Sequence, residues 1–65
     1  MTREQALLNL RARAPLAELE RQARAIVADV GMAPEEVDQE RHYRLLYWAK
    51  DNATPDELRA LGLVR

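Results

Sequence analysis

Residues 36–50 read EVDQERHYRLLYWAK, and the rest of the chain is organised around them. The stretch holds the only Trp, both Tyr and the only His. Stepped at about 100° per residue from Val37, its residues sort onto three strips. Val37, Arg41, Leu45, Trp48 and Ala49 share one. Tyr43, Leu46, Tyr47 and Lys50 share a second, roughly opposite strip. Glu40, Arg44 and Asp51 fill the remainder. The C-terminal half of this helix is therefore apolar on two sides and needs two partners.

The preceding segment supplies one of them. Leu16, Leu19, Ala23, Ile26, Val27 and Val30 fall within an arc of about 100°, the width of a helix face packed on a core. Positions 16, 19, 23, 26 and 30 also keep a three–four heptad spacing. Pro15 stands at or near the first position of this helix, where its missing N–H costs nothing. Glu20 and Arg24 make an i,i+4 pair worth about 0.3 kcal/mol. Gly31 suits the left-handed residue after the helix, with Met32 placed to close a Schellman motif on Val27. Pro34 opens the next helix, and Glu35 and Glu36 suit its positive N-terminal dipole. A link this short folds helices 15–30 and 34–51 into an antiparallel hairpin.

Two short helices flank the hairpin. The first, over 3–14, is capped by Thr2, with Gln5 placed to complete a capping box. Ala6, Leu7, Leu10 and Ala14 form its apolar stripe, and Leu8 points away from it. Arg11 and Arg13 in the last turn suit the dipole. Ala14 precedes Pro15 and is biased out of the helical region, so the helix ends there. The last helix, over 55–61, carries the strongest local signal: Thr54 as N-cap, Pro55 at the first position and Glu57 closing a capping box. Gly62 ends it and Leu63 reaches back to Leu58. Leu58, Leu61, Leu63 and Val64 make an apolar plug for one end of the hairpin. The expected fold is all-α, a single domain over 1–65 built as a small bundle of four helices.

Composition narrows the function classes. Ten basic residues stand against eleven acidic ones, for a net charge of −1. The first thirty residues hold five Arg and four acids. Neither half is basic enough to be a nucleic-acid footprint by charge alone. Nine of the ten bases are Arg, which points to a high-GC genome. The chain has no Cys, so disulfides and thiolate metal sites are excluded, and a reducing, cytoplasmic setting is expected. No apolar run is long enough to span a membrane. The N-terminus lacks the apolar core and cleavage site of a secretory signal.

Catalysis finds few candidates. There is no Ser and no Cys, and both Thr residues serve as caps. Nucleophilic catalysis by a triad cannot be assembled. A solvated helix N-terminus accounts for Glu35, Glu36, Asp38 and Glu40 without an acid–base pair. Asp38 and His42 lie one turn apart, but two ligands are too few for structural zinc, and an ion pair is the simpler account. No catalytic residue, metal or cofactor is assigned, and the chain is read as no enzyme.

A nucleic-acid reading is the alternative. Residues 44–63 hold a helix, a short break and then TPDELRALGL at 54–63. This last piece resembles the first helix of helix-turn-helix units, which implies DNA binding. The sequence stops at Arg65, where the recognition helix should begin, and without that helix the major groove is not read in the usual way. Arg11, Arg13, Arg21 and Arg24 are the candidate phosphate contacts, diluted by interspersed acids.

The favoured reading is a protein–protein interaction module. A 65-residue chain buries only about 60% of its unfolded surface, and small folds gain stability from disulfides, metals or a second subunit. With the first excluded and the second lacking ligands, a homodimer is expected. Its interface is assigned to Tyr43, Leu46, Tyr47 and Lys50, with Leu8 as a rim contact. A regulator, adaptor or inhibitor that also binds a larger protein fits this picture.

Overall fold

The computed structural model describes residues 1–63. Four α-helices follow one another: α1 (Arg3–Arg13), α2 (Leu16–Val30), α3 (Val37–Asn52) and α4 (Pro55–Ala60). A 3₁₀ turn, Pro34–Glu36, leads into α3. The bundle is all-α, and the α2–α3 hairpin forms its largest interhelical contact. α1 lies against α4 and α3.

Each boundary has a local chemical cause. The Thr2 Oγ1 accepts the Gln5 N–H at 3.1 Å, which starts α1. Among the described residues only this half of the expected capping box forms. α1 stops at Ala14, whose extended backbone (ψ 150°) is what the following proline demands. Pro15 itself is not helical. With φ −77° and ψ 75° it is the centre of an inverse γ-turn, closed by the Leu16 N–H on the Ala14 carbonyl at 2.9 Å. α2 therefore begins one residue later than the proline, and the chain reverses phase between α1 and α2 within a single residue.

The two glycine stops are Schellman motifs. Gly31 adopts φ 70° and Gly62 φ 71°, the left-handed region that a Cβ disfavours. The Met32 N–H bonds the Val27 carbonyl at 3.0 Å, and the Leu63 N–H bonds the Leu58 carbonyl at 2.9 Å. These are the six-to-one bonds of the motif, and they satisfy carbonyls that the helix end leaves open.

All four helices feed one core. Ala6 and Leu10 of α1, Leu19 of α2, Leu45 and Ala49 of α3, and Leu61 just after α4 are buried together. Leu7, Ala14, Leu46, Trp48, Ala53, Ala60 and Leu63 pack around them, partly buried. Ala6, Ala23 and Ala49 are wholly inaccessible, and side chains this small let the helices approach closely. The face of α3 turned to this core is the Leu45–Trp48–Ala49 face. The α2 stripe is buried only in its middle, at Leu19, Ala23 and Val27. Its ends, Leu16 and Val30, stay exposed. Val64, assigned to the apolar plug, lies outside the described residues; Leu61 and Leu63 of that plug do join the core.

Candidate interaction surface

The site is built on the outward face of α3. Residues 43, 46, 47 and 50 recur at three- and four-residue spacing, so a helix brings them onto one strip. α1 and α4 cover that strip only in part. Leu46 is partly buried against the core, whereas Tyr43 and Tyr47 remain 42% and 56% exposed. Together with Lys50 and Leu63 they line a shallow groove of about 180 Å³. Leu63 enters because the Schellman turn after α4 swings it back toward α3. In sequence Leu63 belongs to the apolar plug, and no local spacing connects it with this groove.

The polar tips of the strip are held in place. The Gln39 Nε2 donates to the Tyr43 hydroxyl at 3.0 Å. The Tyr47 ring carries two cations: the Arg44 guanidinium carbon lies 4.6 Å from the ring centroid and the Lys50 Nζ 4.7 Å. Such contacts are worth about 0.5–1 kcal/mol at exposed sites. They follow from spacing, since Arg44 and Lys50 stand three residues before and after Tyr47. That spacing is visible in the sequence, although the helical angle alone sets Arg44 on the neighbouring strip. The Arg44 Nε is buried and has no hydrogen-bond partner among the described residues. Leu8 is 64% exposed on α1 and does not line the groove.

A larger hollow of about 510 Å³ lies between α1, α2 and α3. Leu16, Leu19 and Leu45 form its apolar lining, and Arg11, Glu20, Asp38, Arg41 and His42 its polar one. Arg41 ties the hairpin together here. One guanidinium nitrogen bonds Glu20 of α2 at 2.7 Å, and another bonds Asp38 of its own helix. Asp38 is thereby occupied by Arg41 and is not the partner of His42 that its spacing suggested. Among the described residues no group of three or more His, Asp or Glu side chains is placed to hold a metal.

The candidate phosphate contacts are largely engaged elsewhere. Arg13 forms a two-pronged ion pair with Glu57, with Nη2–Oε1 at 2.7 Å and Nη1–Oε2 at 2.9 Å. Arg21 is bonded to Glu18, its Nε on Oε2 at 2.8 Å, and this pairing holds the Glu18 carboxyl below its usual range. Arg24 stands 3.8 Å from Glu20. Arg11 makes no ion pair among the described residues. The four arginines thus do not form one free basic patch. Among the described residues, no helix is long and apolar enough to cross a membrane.

The fold and the exposed α3 face define a small all-α bundle with one aromatic strip left open. Compared with family models, with curated proteins and with solved structures, the chain matches none.

Proposed function

We propose that this protein is a non-catalytic interaction module that self-associates through the outer face of α3 and, as a regulator, adaptor or inhibitor, engages a larger protein in the cytoplasm. The observation that carries the reading is the exposure of two tyrosines beside Leu46 and Leu63. Tyrosine combines a large apolar body with a polar tip and is enriched at interfaces for that reason. The strip is also partly ordered already, through Gln39 on Tyr43 and the two cations on Tyr47. Pre-ordered side chains lose less entropy on docking.

Sedimentation equilibrium over a range of concentrations tests the reading. The wild-type chain is expected to form dimers. Tyr47→Ala is expected to weaken association by about tenfold or more, as truncation of a central aromatic does. Its helix content by circular dichroism should be unchanged, because Tyr47 is exposed in the monomer. Leu46 is a poorer test, since it also packs on the core. A chain that stays monomeric at high concentration defeats the proposal.

A further inference from the structure

The charges flanking the tyrosine strip are arranged unevenly along α3. Glu36 and Glu40 precede Tyr43, and Lys50 follows Tyr47. Among the described residues none of these three, and not Arg44 either, takes part in an ion pair. Arg13, Arg21, Arg24, Arg41 and Arg59 all do. The strip is therefore acidic at its start, aromatic in the middle and basic toward its end, with its charges unpaired.

We infer that the occupant of this face is a second copy of the chain, with the two α3 helices packed antiparallel about a two-fold axis near residues 44 and 45. The inference rests on the self-association proposed above and gives it a geometry. Glu36, Gln39, Tyr43, Leu46 and Lys50 keep the three–four spacing of a helix–helix seam. Antiparallel pairing about that axis sets Tyr43 beside Leu46 and Tyr47 of the second copy. It sets Lys50 beside the second copy's Glu36, and the two-fold axis makes the contact twice. Gln39 meets the region of Lys50 and Asp51. Parallel pairing in register does the reverse: Lys50 faces Lys50 and Glu36 faces Glu36, which is repulsive. Glu40 and Asp51 share the neighbouring strip, so both charges bear on the seam only weakly, and Glu36 with Lys50 is the pair that sets the orientation.

Charge reversal and cross-linking test the orientation. Lys50→Glu turns attraction into repulsion only in the antiparallel pair, since in the parallel pair it exchanges one like-charge contact for another, and it should weaken dimerisation by about tenfold or more. The double variant Lys50→Glu, Glu36→Lys restores the pairing and should recover most of the affinity. The absence of native Cys makes disulfide trapping clean. Gln39→Cys and Lys50→Cys chains, both at exposed positions, should cross-link to each other when mixed and air-oxidised, and far less to themselves. Circular dichroism confirms that each variant is folded. If association is sensitive to Tyr47→Ala but Gln39→Cys chains link to themselves, the tyrosine face stands and the antiparallel geometry is overturned. If Lys50→Glu leaves the affinity unchanged, the geometry is also overturned. A wild-type chain that never associates overturns both.

Discussion

Glu57 accepts hydrogen bonds from two elements, which is why a carboxylate is kept at a position only 2% exposed. Its Oε1 takes the Thr54 N–H at 2.8 Å, and the Thr54 hydroxyl takes the Glu57 N–H at 3.2 Å, so the box that caps α4 is complete. The same carboxylate receives both prongs of Arg13 from the end of α1. Arg13 first, and then the Thr54 backbone, lower its pKa from 4.5 to about 2. The sign of the pH effect follows. In the unfolded chain the carboxyl takes up its proton near pH 4.5, whereas in the folded chain it resists until about pH 2. The stabilisation is complete above 4.5 and is lost as pH falls through that window. Glu57→Gln should therefore destabilise the fold at pH 7 by about 2 kcal/mol, because charge-assisted hydrogen bonds to a buried carboxylate are lost. Urea titrations at pH 7 and pH 3 check this: the gap between wild type and variant should narrow at the lower pH.

At the level of elements, α1 is held by few side chains. Leu10 is its one large, fully buried anchor, beside Ala6, and Arg13 is its tie to α4. Leu10→Ala should cost about 2–5 kcal/mol through lost burial and the cavity left behind. Thermal unfolding followed by circular dichroism measures it, and a loss under 1 kcal/mol would mean that α1 is not docked as described. The element boundaries were legible in sequence because they rest on local chemistry. Thr2, Thr54 and Pro55, Gly31 and Gly62 all act through their nearest neighbours. Pro15 shows the limit. A proline fixes φ but leaves ψ open, and ψ decided between a first helical residue and a γ-turn.

Across the whole molecule, the shape is open for its size. The radius of gyration is 12.4 Å, against about 10.7 Å for a compact chain of this length. The accessible surface is 4580 Å², where about 4,200 Å² is usual for the mass. The extents, 36 × 22 × 19 Å, describe a hairpin with short helices at its side, not a globe. That geometry leaves Leu16 and Val30 at the ends of α2, and Tyr43 and Tyr47 on α3, without cover. Self-association predicts a melting temperature that rises with protein concentration, because anything that binds only the folded state stabilises it by mass action. Scanning calorimetry over a hundredfold range should show a shift of several degrees in the wild type and almost none in Tyr47→Ala.

By itself the sequence determined the helices, their stops, the hairpin and the two-sided character of α3. Periodicity, caps and turns are properties of residues a few positions apart, so one chain read in order contains them. Only the tertiary structure decided which α3 face became core, how much of the other stayed open, and that Arg13 reaches Glu57 across 44 residues of chain. Those outcomes depend on the lengths and angles at which α1 and α4 meet the hairpin. Such angles come from packing between distant residues, which no local pattern records.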